Sequence, residues 1–373
     1  MKLTRSGCVV PDTPEIKKEL TVRPIVNADF GVAPPSFKVF RKAKSGLCVP
    51  RYYAEEKFGK VTEDIRPKPE KIKISFKGKL RDETHQNEAL SKAIEAGHGI
   101  LSLPCGFGKT TVSLAIACKL GYRTMIVVHK EFLANQWKER IQQFCPGASI
   151  GIVQQNKKEV NCDFVIAMLQ SLSLKEYSFE DFDSIGTLIV DEAHHICAKV
   201  FSQSLFKLCP KHAFGLSATP NRKDGLTKVL HWFMGPTFFS VERKNQDQVD
   251  MFPLVYTCPR FEDPPPCTRF GKLSLPTMIT ELTEMPDRNR LILQTIKDLA
   301  KTTRQILVLS DRRFHCEYLH NKFKTTSGLY MGGMKEEELA ESSKKQIIFA
   351  TFSQAHEGLD IPTLDTVILA TPK

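Results

Sequence analysis

Residues 99–120 read GILSLPCGFGKTTVSLAIACKL. The first five are a short apolar run of the kind that fills a buried strand, and from Thr111 the apolar density and length suit a helix. Between them, Gly106 and Gly108 let the backbone curl so that its N–H groups face the N-terminal end of that helix, where the macrodipole favours an anion. A strand, a glycine-rich turn and a helix in this order make a phosphate-binding loop. On this reading Leu103, Pro104, Cys105, Gly106, Phe107, Gly108, Lys109 and Thr110 cradle a nucleoside triphosphate. Lys109 neutralises the β- and γ-phosphates, and the Thr110 hydroxyl ligates Mg²⁺. The pattern G-x-x-x-x-G-K-[ST] is not fully met, because Leu103 stands where the first glycine would be. Cys105 is expected there for packing rather than as a reactive thiol.

Further short apolar runs follow: TMIVV at 124–128, DFVIAM at 163–168, TLIV at 187–190 and HAFGL at 212–216. Helical patterns separate most of them, as with Leu133, Trp137, Ile141 and Phe144. Such alternation predicts a parallel sheet with helices on both faces. The run at 187–190 leads into Asp191 and Glu192, which places two carboxylates at the carboxyl edge of that sheet, beside the phosphate loop. Two acids so placed take different tasks. Asp191 holds Mg²⁺, and Glu192 accepts a proton from the attacking water. An exposed acidic helix cap is the bland alternative, and the phosphate loop upstream argues against it.

Asp191-Glu192-Ala193-His194 reads as a DEAH box, and Ser217-Ala218-Thr219-Pro220 as the motif that links hydrolysis to strand movement. With the phosphate loop, these residues resemble superfamily 2 helicases. The wordings MIVVHKEFLANQWKERI and LSATPNRKDGL narrow the resemblance to the XPB-like branch, close to the compact helicases of large nucleocytoplasmic DNA viruses. It covers about residues 80–373, and the leader at 37–59 is similar to that of the viral members. The resemblance implies a P-loop fold of two RecA-like domains, ATP and Mg²⁺ as cofactors, and DNA as partner with RNA as the alternative. It also implies an association with transcription or replication machinery. Arg81 and Gln86 match its adenine-sensing element, although a glutamine here would ordinarily be an exposed helix residue. His194, Ser217, Thr219, Gly358 and Asp360 match residues that couple nucleotide state to domain motion. His129, Gln170 and Ser171 fall where the family touches the nucleic-acid backbone.

Farther out, residues 240–285 break the rhythm with EDPPPC and read as a connection. Alternation then resumes with a helix at 287–301, strands at 305–309, 346–351 and 366–370, and a helix near 312–323. The expected organisation is a basic β-rich accessory region at 1–80, a first RecA-like domain at 81–240, a linker at 241–285 and a partial second domain at 286–373. After TVILATPK the family carries a Q-x-x-G-R-x-x-R motif with an arginine finger. The chain stops before it, so weak turnover is expected. Two rival readings remain: a duplex translocase or transcript-release factor that does not unwind, and a nucleotide-regulated binding module.

Bulk properties agree with a globular protein of a reducing interior, cytoplasmic or nuclear. The net charge is +11, and residues 1–80 hold 18 Lys and Arg against 9 Asp and Glu, a balance that suits a polyanion as well as it suits solubility. No apolar run reaches membrane-spanning length. Eleven cysteines without a C-x-x-C pair indicate neither a zinc ribbon nor a disulfide framework. His98, His212 and His231 read as ordinary core or surface residues.

Overall fold

The computed structural model describes residues 1–25, 34–104, 106–219, 221–242, 249–258, 268–269, 272–359 and 361–373. They divide into two compact units, Met1–Gln248 and Val249–Lys373.

The apolar runs of the first unit form strands β1 (His98–Ser102), β2 (Thr124–Val128), β3 (Ile150–Gln154), β4 (Phe164–Met168), β5 (Thr187–Val190), β6 (His212–Ser217) and β7 (Thr237–Ser240). Their order in the sheet is β3-β4-β2-β5-β6-β1-β7, all parallel, with the short Lys157–Lys158 strand antiparallel at the β3 edge. Every residue of β2, β4 and β5 is buried, because helices cover both faces of a parallel sheet. From residue 86 onward the helices of this unit are α1 (Gln86–Ala96), α2 (Lys109–Leu120), α3 (Glu131–Phe144), α4 (Leu169–Leu174), α5 (Lys199–Ser204) and α6 (Thr227–Met234). One apolar layer joins α2 and α3 to the sheet through Val112, Ile116, Trp137 and Ile141. Strands β5, β6 and β1 are neighbours, so their carboxyl ends place Asp191, Ser217 and the phosphate loop along one edge.

A boundary at residue 80 was expected, and the structure does not divide there. Strands Lys2–Thr4, Gly7–Val10, Arg41–Ala43, Gly46–Val49 and Glu63–Asp64 do form a separate sheet. Its apolar face, however, shares one core with the large sheet: Leu3, Val10 and Leu47 lie in the same cluster as Ile100, Met125 and Trp232. The Tyr52 ring stacks on His98 at 4.2 Å, and Tyr53 meets Trp232 edge-on at 5.5 Å. A composition shift marks the charge of a segment, not what its apolar face packs against.

The second unit carries α7 (Leu275–Glu284), α8 (Pro286–Leu299), α9 (Arg313–His320), α10 (Glu336–Ser343) and α11 (Phe352–Gly358). Its main sheet is made of β8 (Ile306–Ser310), β9 (Ser327–Tyr330), β10 (Ile347–Thr351) and β11 (Thr366–Leu369), parallel in the order β9-β10-β8-β11. The expected linker at 241–285 therefore ends in a helix, α7, started by Pro276 in its first turn. Edge strand β11 pairs with β8 through Val308 opposite Ile368, while Val367 and Leu369 are exposed. No helix of the described residues is long and apolar enough to cross a membrane.

Candidate active site

Helix α2 starts at Lys109 behind Gly108, which sits at φ 91° and gives the helix no side-chain cap. The first-turn N–H groups are thus left to an anion. Gly106, at φ 78°, is exposed, and a side chain there would meet nothing within 4 Å. Gly108 is tighter: an added Cβ would fall 2.7 Å from Gln86 Nε2. Leu103 contributes backbone alone, since its side chain is fully buried in the core. Its place at the first-glycine position is thereby explained, because the chain there is still the end of a buried strand. Cys105 lies outside the described residues.

Lys109 Nζ donates to Glu192 Oε1 at 3.0 Å. Asp191 is held by two donors: the Trp137 indole N–H reaches Oδ2 at 2.9 Å, and the Glu192 backbone N–H reaches Oδ1 at 3.0 Å. Burial pushes the Asp191 carboxyl above the usual carboxylate range. A nearby divalent cation would oppose that shift. Glu192 adopts φ 45°, a left-handed conformation rare for a residue with a side chain. That strain costs of order 1–3 kcal/mol and is commonest where a side chain must be aimed. His194 Nδ1 lies 3.5 Å from Glu192 Oε2 and 3.3 Å from Ser217 Oγ, which also accepts the Thr219 N–H at 3.1 Å.

Arg81 and Gln86 form a second cluster. Gln86 is 2% exposed, which corrects the alternative of a solvated helix residue. Its Nε2 donates to the Phe107 carbonyl at 2.6 Å, and its Oε1 accepts the Arg81 backbone N–H at 2.9 Å. Arg81 Nη2 reaches the same carbonyl at 3.3 Å, so both residues brace the loop from behind.

The proposed backbone-contact residues also gather. Gln170 Nε2 donates to the His129 carbonyl at 2.7 Å, and the Ser171 hydroxyl accepts the Gln155 N–H at 2.9 Å. Sequence reasoning missed what joins this group to the carboxylates. The ring centroids of His129 and His195 stand 4.0 Å apart and those of His195 and His194 4.3 Å, a row of mutually tilted imidazoles. It also missed Arg222, whose Nη1 donates to the His194 carbonyl at 2.7 Å, and the role of Trp137. Periodicity placed Trp137 on a buried face, but a period carries no information about where an indole N–H points. Gly358 ends α11 in the second unit, and Asp360 lies outside the described residues.

The donor set suits a nucleotide with Mg²⁺. Thr110 and Asp191 offer hard oxygen ligands, and among the described residues no group of three His, Cys, Asp or Glu could cage a metal without a substrate. Mg²⁺ is commonly held by one or two such side chains plus phosphates.

Residues 78–222 match the family described as "Type III restriction enzyme, res subunit". A candidate ATP-dependent RNA helicase of Acanthamoeba polyphaga mimivirus is 34% identical over 100% of this chain and 76% of its own length. A candidate helicase of Invertebrate iridescent virus 6 is 27% identical, over 96% of this chain and 85% of its own length. The crystal structure of T4 UvsW resembles this one with a TM-score of 0.41 at 16% identity, covering 96% of this chain and 80% of that one.

Proposed function

Because this chain belongs to the superfamily 2 helicases of large DNA viruses, we propose that it hydrolyses ATP with Mg²⁺ to move along or unwind DNA. The finer placement in the XPB-like branch, and work beside transcription or replication machinery, belong to the same proposal. The observation that carries it is the 3.0 Å contact between Lys109 and Glu192 at the sheet edge. The ammonium of Lys109 would bind the β- and γ-phosphates, and those phosphates compete with Glu192 for it. Phosphate binding therefore releases the Glu192 carboxylate to accept a proton from water. Asp191 and Thr110 would hold Mg²⁺, which supplies charge neutralisation at the transferred phosphoryl group. Trp137 fixes Asp191 in orientation, and His194 with Ser217 senses the state of Glu192. Arg81 and Gln86 would read the base through the loop they brace. His129, Gln170, Ser171 and the rest of that cluster would address phosphates, which position a strand without reading its sequence.

The test is steady-state ATP hydrolysis alone and with single-stranded and duplex DNA and RNA, followed by strand displacement. Stimulation by DNA with displacement supports a DNA helicase. Stimulation by duplex without displacement supports a translocase. Stimulation by RNA alone would side with the mimivirus relative's name, and no hydrolysis under any condition would overturn the proposal.

A further inference from the structure

Between the N-terminal sheet and α1 the chain runs as an extended strap across the first unit. The Arg123 N–H donates to the Glu70 carbonyl at 2.9 Å, Ile72 N–H to Gly121 at 3.0 Å and Lys77 N–H to Phe144 at 2.7 Å. Along it, burial alternates residue by residue. Ile72, Ile74, Phe76 and Leu80 turn inward, while Lys71, Lys73, Ser75, Lys77 and Lys79 are exposed. The inward set is anchored: Ile74, Phe76 and Leu80 pack on the core of α2 and α3, with the Phe76 and Phe144 rings 5.7 Å apart. The register of the outward lysines is therefore fixed by packing.

In extended chain, alternate side chains on one side recur about every 6.6–6.8 Å, so Lys71 to Lys79 spans roughly 26 Å. Among the described residues none of these four ammonium groups takes part in an ion pair or hydrogen bond. Exposed lysines elsewhere do pair, as Lys2 with Glu63 and Lys157 with Glu159. Between Arg66 and Arg81 the sole acidic residue is Glu70. The row is thus held in register and uncompensated among the described residues, and it has no exposed large apolar side chain with which to enter a membrane or grip a protein surface.

We propose that Lys71, Lys73, Lys77 and Lys79 form a track for the phosphate backbone of a nucleic acid, separate from the contacts near His129. The inference rests on the reading of the protein as a nucleic-acid motor. A row of flexible point charges matches a regular polyanion and reads no base, so binding here is sequence-tolerant and driven by counterion release.

The experiment compares the intact chain with the variant K71Q/K73Q/K77Q/K79Q, measuring affinity for mixed-sequence DNA and RNA oligomers over a sodium chloride series. Each phosphate contact contributes about 0.7–0.9 to the slope of log K against log salt, so the variant should flatten it by about 3. ATP affinity and hydrolysis without nucleic acid should stay within about twofold of the parent. Glutamine keeps the alternation, and thermal unfolding checks the fold. The single charge reversal Lys73→Glu, measured in parallel, should weaken binding without loss of structure. A control, K42Q/K44Q/K60Q, removes exposed lysines of the same unit outside the strap. An unchanged slope in the fourfold variant, or an equal change in the control, would overturn the proposal. So would a loss of poly-glutamate binding with nucleic-acid affinity intact, which would make the strap a docking site for an acidic protein. If the parent chain binds no nucleic acid at any salt, it is the motor reading that falls.

Discussion

Lys109 and Glu192 are joined by one hydrogen bond, and their substitutions should separate cleanly. Lys109→Ala removes the ammonium proposed to bind the phosphates. A hydrogen bond to a charged group is worth about 1.5–3 kcal/mol, so the ATP dissociation constant, measured by calorimetry, should rise roughly 10- to 150-fold. A change of less than about threefold would remove Lys109 from the site. Glu192→Gln keeps the size of the side chain and loses the proposed base. ATP should still bind, while hydrolysis falls by about 10²–10⁴. Equal turnover in variant and parent would mean that another group takes the proton. That these two residues meet was legible because strand, loop and helix come in an order that chemistry constrains. The surrounding contacts were not: Trp137 reaches Asp191 and His195 reaches the His194 ring through side-chain geometry, which no spacing encodes.

At the scale of elements, the second unit shows how much a pattern conveys. The strands expected at 305–309 and 346–351 are there, one residue from their expected bounds, because short apolar runs between helices have few other ways to be buried. What the pattern did not reveal is a polar chain through that core. The Arg312 N–H donates to Ser310 Oγ, Ser310 Oγ meets His315 Nδ1 at 3.0 Å, His315 Nε2 meets Asn289 Oδ1 at 3.0 Å, and Asn289 Nδ2 donates to the Thr283 carbonyl at 2.7 Å. It ties α7, α8, β8 and α9 together and needs a neutral imidazole that accepts from Ser310. Burial, helped by the charge of Arg288, lowers the His315 pKa to about 4. The unfolded chain, with an ordinary histidine near 6.5, binds the proton more readily. Stability from this group is therefore complete above about pH 6.5 and is lost as the pH falls toward 4, by about 3 kcal/mol in all. Urea midpoints at pH 7 and pH 4.5 should differ more in the parent than in His315→Gln. Parallel losses in both would show that His315 is not the titrating group.

At the scale of the molecule, the basic balance of residues 1–80 suggests an appendage, and the shared core says otherwise. Leu47 is fully buried in the cluster that also holds Ile100 and Met125 of the large sheet, and Arg41 Nη2 bonds to the Gln203 carbonyl at 2.6 Å. If the two sheets make one cooperative body, a cavity in the N-terminal one must destabilise the nucleotide-binding part equally. Leu47→Ala should cost about 2–5 kcal/mol, which for a unit of this size lowers the melting temperature by roughly 5–15 °C. The chain has two tryptophans, Trp137 and Trp232. Trp232 touches Tyr53, whereas Trp137 is buried on α3 beside Asp191. In a Trp232→Phe background the emission comes from Trp137 alone. Its unfolding midpoint should move with Leu47→Ala by the full amount. A midpoint that stays put while far-ultraviolet circular dichroism shows an earlier, separate loss would mean that the N-terminal sheet unfolds on its own. The first eighty residues would then be the independent domain that their charge implies.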